Sequence, residues 1–164
     1  MHNISIKCQT LVDEASQEAI ARSYQASTEM RNAAINILRG QRSGRRYRVP
    51  YTGPGQTVSA NGKIRRRKPR YYTASAPGEA PANRTGAYRL SYKPTPYAIR
   101  RGNNLHVFAA ISSDTKTKDG KLIGAILEYG TEDGRIAPRP HKKIIQDRAK
   151  QRIVRIYSRP YLRR

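Results

Sequence analysis

The residues able to do chemistry are few and lie far apart. His2, His106 and His141 stand in unrelated contexts, and none belongs to an HExxH, GxSxG or CxxC pattern that would supply a metal ligand set, a nucleophile or a base. His106 reads as a strand side chain. Cys8 is the single cysteine, so neither an internal disulfide nor a thiolate metal site can be assembled within one chain. Asp114 to Gly120 lacks the ligand spacing and closing glutamate of a calcium loop. Glu128, Glu132 and Asp133 form the one local concentration of acid in the second half, and their spacing suits a surface turn better than a metal cluster. The expectation is a protein that is not an enzyme, with no catalytic residue, cofactor or metal.

Arginine beside tyrosine is the chemistry the chain does offer. Arg45, Arg46, Tyr47 and Arg48, then Tyr51, then Arg65, Arg66 and Arg67, then Tyr71 and Tyr72 fall in a stretch with no acid between Glu29 and Glu79. Tyrosine brings contact area and arginine charge-assisted hydrogen bonds, a combination that serves protein interfaces and nucleic acid alike. The charge map supports an anionic or acidic partner. Residues 1–29 hold two cations and four acids, 30–78 twelve cations and no acid, 79–138 nine against six, and 139–164 ten against one. A net charge of +22 opposes compaction until something neutralises it. One such partner is another copy, its acidic turn at Glu128, Glu132 and Asp133 meeting the basic arm or C-terminal helix of the next.

These residues need elements to carry them. At 164 residues, with 37% hydrophobic composition and a mean hydropathy of -0.82, the chain fits a single domain over 1–164 with a lean core. No run is long and apolar enough to span a membrane, and the N-terminus has no secretory pattern, so synthesis in the cytoplasm is expected. Leu11, Ala15, Ala19, Ala26, Met30, Ala33 and Ile37 recur at helical spacing and predict a helix from about Leu11 to Leu38, with Gly40 as its stop. Residues 41–74 read as an extended basic arm, a long hairpin turning at Asn61-Gly62. Ser75 to Pro81 and Arg135 to Pro140 are rigid connectors. Period-two alternation predicts strands over Tyr88–Tyr92 and Leu105–Ile111, the latter pairing with Lys121–Ile126 in a hairpin over 104–127 that turns at Asp119-Gly120. A second helix fits His141–Tyr157, with Ile145, Ala149, Ile153 and Ile156 on one stripe, and 158–164 is a basic tail. The fold class is α+β: long N-terminal and C-terminal helices packed on an antiparallel sheet, with the basic arm inserted between the first helix and the sheet.

Three stretches, taken in order, carry a resemblance. Ser75-Ala76-Pro77-Gly78-Glu79-Ala80-Pro81-Ala82 running into Thr85-Gly86-Ala87-Tyr88-Arg89-Leu90-Ser91 resembles the "SAPGE-P-A…TG-LR-S" block of the tail-completion, or head-to-tail joining, proteins of long-tailed double-stranded DNA phages. Leu127-Glu128-Tyr129-Gly130-Thr131 resembles their "LE-(Phe/Tyr)-GT" segment, and Ala137-Pro138-Arg139-Pro140 their "APRPF" turn. Two positions depart: Asn83-Arg84 where the family has Val-Asp, and His141 where it has an aromatic.

The resemblance implies a virion protein of the neck, at the head–tail interface, forming a homo-oligomeric ring around the DNA channel. Its partners would be the head-closure or connector protein and the tail tube or tail terminator protein, with contact to genomic DNA in the channel and none to membrane. The arm would reach a neighbouring subunit or ring, the Pro-rich connectors would fix the sheet against the helices, and the turn at 127–131 would position an edge for assembly. The alternative expectation is a non-enzymatic basic protein that binds nucleic acid.

Overall fold

Residues 2–10 contain neither proline nor glycine, so nothing local stops a helix from starting well ahead of the apolar stripe. In the computed structural model, which describes residues 2–49, 56–66, 68–82 and 84–162, α1 runs from His2 to Arg39. Its 38 residues make a rod of about 57 Å. The end near Gly40 falls where expected, and a side chain helps to seal it. Arg42 donates from Nη2 to the Ile37 carbonyl at 2.7 Å, which also accepts the Gly40 amide at 3.2 Å, and from Nε to the Ala80 carbonyl at 2.6 Å, tying the helix end to the Ala80 segment.

Segment 41–74 contains two antiparallel ladders. β1 (Arg46–Arg48) pairs with β4 (Tyr71–Thr73), and β2 (Gln56–Val58) pairs with β3 (Ile64–Arg66). The β2–β3 connection turns at Asn61-Gly62, where Gly62 takes φ 70° and donates to the Ser59 carbonyl. A left-handed residue costs glycine nothing, and this explains the Asn-Gly pair.

The remaining strands depart from expectation. α2 (Ala87–Leu90) is a single helical turn where a strand over Tyr88–Tyr92 was expected, entered through Gly86 at φ 85°. Helical spacing lets Tyr88 meet Tyr92, four residues on, and their hydroxyls lie 2.7 Å apart. β5 (Lys93–Pro94) pairs with β8 (Ile111–Ser112), and β6 (Tyr97–Arg101) with β7 (Asn104–Phe108). Thus β7 takes its partner from the N-terminal side, across a tight turn with Gly102 at φ 57°, and the hairpin over 104–127 does not form. Residues Ile123–Tyr129 are helix α3 instead. Ile123, Ile126 and Leu127 share a helical face, while Gly124 and Ala125 are poor strand formers. Asp119-Gly120 still turns the chain, over the short span between Thr117 and Lys121. Among the described residues the strands form four two-stranded pieces in place of one continuous sheet.

α4 (Lys142–Tyr157) packs along the C-terminal half of α1. The contact is alanine-rich: Ala33, Ala34 and Leu38 of α1 meet Ile145 and Ala149 of α4, with Tyr92 completing the buried cluster. Small side chains let the two backbones approach closely, so a short list of residues makes a dense core. Polar ties fasten the edges. Arg31 donates to the Tyr92 carbonyl at 2.9 Å, Ser27 Oγ accepts the Ala110 amide at 3.0 Å, and Arg152 pairs with Glu29 at 2.9 Å. No helix among the described residues is long and apolar enough to cross a membrane.

Candidate interaction surface

The motif stretches that lie far apart in sequence converge at the N-terminus of α4. α3 ends at Gly130, whose φ of 80° and ψ of -169° belong to a region open essentially to glycine alone. A Cβ there would stand 2.6 Å from the Ile136 carbonyl oxygen and 3.1 Å from Pro138 Cδ. The loop beyond closes on itself, because Thr131 donates to the Ile136 carbonyl at 3.0 Å and the Arg139 amide donates to the Leu127 carbonyl at 2.7 Å. That closure brings Glu128 under the first turn of α4. Its Oε2 accepts the amides of His141 at 3.0 Å and Lys142 at 3.2 Å, two of the donors a helix start leaves unpaired. His141 at the N-cap makes no side-chain cap of its own, so the cap comes from α3.

His141 is fully buried at the centre of this junction. Its Nδ1 lies 2.9 Å from Glu128 Oε2 and 2.9 Å from the Arg139 carbonyl, two groups that only accept, so Nδ1 carries a proton. Its Nε2 faces the hydroxyls of Tyr88 at 2.7 Å and Tyr92 at 3.1 Å. Burial pushes the Tyr88 hydroxyl well above its ordinary range and raises that of Tyr92 as well. At Tyr88 the hydrogen bond with Tyr92, and the nearby charges of Tyr92 and Glu128, add to the effect. Both hydroxyls therefore stay protonated at neutral pH and available to the imidazole.

The Ser75–Glu79 stretch ties the hairpin to the same place. Glu79 accepts from Ser43 Oγ at 2.6 Å, from the Ser43 amide at 3.2 Å and from the Ala76 amide at 2.9 Å, and these bonds, the Ser43 hydroxyl first, hold its carboxyl below the usual range. The segments entering and leaving the hairpin are thereby clasped together. Gly44 donates to the Ala74 carbonyl at 3.0 Å, an approach that a side chain would block, since its Cβ would sit 2.6 Å from that oxygen. Arg139 Nη1 donates to the Ala76 carbonyl, and the Gly78 amide to the Pro138 carbonyl at 3.3 Å. Gly78, Glu79, Gly130, Thr131, Pro138 and Arg139 are thus parts of one hydrogen-bonded junction, with Pro77 and Pro140 exposed beside it. Thr85 accepts the Ala87 amide at 3.3 Å and helps start α2. Tyr129 points outward, 71% exposed, with the Lys142 ammonium 4.8 Å from its ring centroid.

What the junction roots is a cationic, aromatic surface. On the β1–β4 ladder Tyr47 and Tyr72 are opposite partners, stacked with centroids 5.6 Å apart. Arg46 lies over Tyr71 at 4.5 Å, Arg45 over Tyr47 at 5.5 Å, and Arg84 over Tyr72 at 5.7 Å. Arg48 is exposed on the same ladder, and Arg65 and Arg66 on β3. Tyr51 and Arg67 fall outside the described residues. Contacts of this kind hold the guanidinium charges close to the ring faces, a cation–π arrangement that partly orders the arginines before any partner arrives.

The acidic turn expected to meet a neighbouring copy is divided by the structure. Glu128 is turned inward, its side chain 12% exposed, and is spent on the α4 cap. Asp133 serves its own turn: it accepts the Arg135 amide at 3.1 Å and pairs with Arg135 Nε at 3.1 Å, while a bond from Thr131 does most to lower its carboxyl pKa. Glu132 is exposed. Sequence reasoning singled out Arg139 within the resembled turn and passed over His141 and Arg42 as structural centres; the signal available for His141 was its standing where the resembled motif has an aromatic. Among the described residues no group of three His, Cys, Asp or Glu is placed to hold a metal ion. What the arrangement can do is present and position charge. Compared with known protein families, with curated proteins and with solved structures, the chain matches none.

Proposed function

We propose that this chain is a structural protein of the neck of a long-tailed double-stranded DNA phage, forming a ring that joins the capsid connector to the tail. The observation that carries the reading is the meeting of the Ser75–Glu79, Leu127–Thr131 and Ala137–Pro140 stretches, whose order resembles the tail-completion proteins, in one hydrogen-bonded junction. Residues that serve a common three-dimensional purpose are the ones expected to recur together as a motif set. In this reading the junction is the rigid base from which the Arg/Tyr ladder reaches the neighbouring subunit or the adjacent ring.

The test is a copy count. Quantitative peptide mass spectrometry of purified particles of the encoding phage, counting this chain relative to the major capsid protein, should find a number fitting one symmetric closed ring rather than hundreds. Absence from the particle overturns the reading.

The stack of exposed Tyr47 on half-buried Tyr72, flanked by arginines, favours a second reading: a basic nucleic-acid-binding protein without enzymatic activity. Phosphate binding through that surface would weaken steeply and linearly in log salt, and a weak slope with DNA and RNA alike removes it.

A further inference from the structure

α1 is longer than the body it packs on. From Ala26 onward its apolar stripe is covered, with Ala26 and Ala34 at 0% exposure and Ala33 at 6%. The stripe continues toward the N-terminus through Ala19, Ala15 and Leu11, with Val12 beside it, yet no residue between Ile6 and Ala21 is buried. Leu11 is 47% exposed and Val12 54%. The cover ends at Arg22. That buried arginine grips the C-terminal tail, donating to the Arg159 and Pro160 carbonyls at 2.5 Å each and lying 4.1 Å over the Tyr161 ring. Between this clasp and the uncovered turns of α1 lies an open groove of about 1060 Å³, walled by Asp13, Glu14 and Glu18 on one side and Tyr161 and Leu162 on the other.

We propose that this groove and the uncovered turns of α1 are the docking surface for a second copy of the chain, which enters with its β2–β3 hairpin. Charge points to that occupant. Residues 1–29 hold two cations and four acids, whereas the rest of the chain holds 31 cations and seven acids. Arg22 and Arg159 also line the groove, Arg22 being engaged with Glu18 and the tail, and the α1 wall carrying Asp13 and Glu14 is the acidic exception on a cationic molecule, which segment 30–78, without a single acid, complements best. The hairpin also has the apolar element the stripe lacks. Val58 and Ile64 are cross-strand partners, 70% and 65% exposed, and directly opposed partners share a face, with Arg66 two residues along. Leu11 at the groove's edge and Glu14 in its wall lie one helical turn apart, so Val58 and Ile64 meet Leu11 while Arg66 meets Glu14, with Val12, Asp13 and Lys63 at the rim of the contact. Glu18 is already paired with Arg22 at 2.8 Å and holds the clasp.

Groove and hairpin are different surfaces of one molecule, so the contact is heterologous and each copy keeps one of each to offer. Repetition closes into a ring where the rotation allows. The inference deepens the ring reading, on which it rests for the premise that copies of the chain associate, and it moves the acidic half of the contact from the 128–133 turn to α1.

The experiment is sedimentation velocity on the full chain and on two variants, Asp13→Lys with Glu14→Lys, and Lys63→Glu with Arg66→Glu. All four positions are exposed, and circular dichroism melts will verify that both variants remain folded. Wild type should sediment as oligomers that dissociate as salt is raised. Each variant alone should be monomeric, the wall of its groove and the docking face of its hairpin, which carries Arg66 and not Arg65, bearing like charge. Mixed one to one, the two should assemble again in alternation, because each hairpin then opposes a groove of opposite sign. A Leu11→Ser, Val12→Ser variant should weaken association at least tenfold. Oligomers that persist in both charge variants overturn the inference and leave the ring reading standing, with its contact elsewhere. A wild type that stays monomeric also overturns it, leaving a different protein as the occupant of the groove, and the copy count in particles then decides the ring reading separately.

Discussion

Replacing Glu128 with alanine isolates the contribution of the junction. The substitution removes the acceptor of two amide donors at the start of α4 and one of the two acceptors beside the buried His141 Nδ1. Loss of a helix N-cap costs about 1 kcal/mol, and hydrogen bonds to an ionised group are each worth about 1.5–3 kcal/mol when buried. The Arg139 carbonyl still serves Nδ1, so the imidazole is not orphaned. A total of about 2–3 kcal/mol follows, which in a chain of this size lowers Tm by roughly 4–12 °C. Urea unfolding followed by helical ellipticity should report this as a lower midpoint at unchanged slope. Glu132→Ala, at an exposed site three residues from the α3 end of the cap, should change stability by no more than about 0.5 kcal/mol. Glu128→Gln keeps one carbonyl acceptor and should fall between the two. Should Glu128→Ala match the Glu132 variant, the reasoning fails, and α4 is held by its apolar stripe without help from α3.

Gly130→Ala should destabilise by about 2 kcal/mol or more, combining a forbidden backbone region with a clash on the Ile136 carbonyl, and near-normal melting would show that the turn relaxes. At high pH the tyrosine pair governs. Tyr88 and Tyr92 ionise near 10.0 when unfolded and are held higher when folded, so their stabilisation is complete below that value and is lost as pH rises beyond it. Urea midpoints measured from about pH 9 to about pH 11 should fall, less steeply in Tyr88→Phe, and an equal slope in both proteins contradicts the assignment. At low pH the sign reverses. Glu79 and Asp133 sit below their ordinary 4.5 and 3.8, so the stability they contribute is present above those values and is lost as pH falls through the depressed ones. Glu79→Gln should flatten that acid limb while loosening amide protection at Ser43 and Ala76, and hydrogen exchange at those two amides checks it.

Strong periodicity and backbone chemistry were readable without a structure. The stripe from Leu11 to Ile37 marks α1, Ile145, Ala149 and Ile156 mark α4, and Asn61-Gly62 marks a turn, because each is set by spacing or by a residue's own φ preference. The uneven charge was equally plain, being a property of composition. Short apolar runs were not legible. Tyr88–Tyr92 and Lys121–Ile126 alternate well enough to read as strands; Gly124 and Ala125 already weigh against strand in the second, and tertiary contacts hold Ala87–Leu90 and Ile123–Tyr129 as helix, Tyr88 reaching His141 and Glu128 reaching the start of α4. The strand Asn104–Phe108 likewise had its alternation right and its partner unspecified, since pairing depends on which neighbour is close in space. The same limit hid His141. A lone histidine has no periodicity to betray it, and only the folding of the Tyr88–Tyr92 turn and α3 against the start of α4 makes it the buried centre that holds these three together.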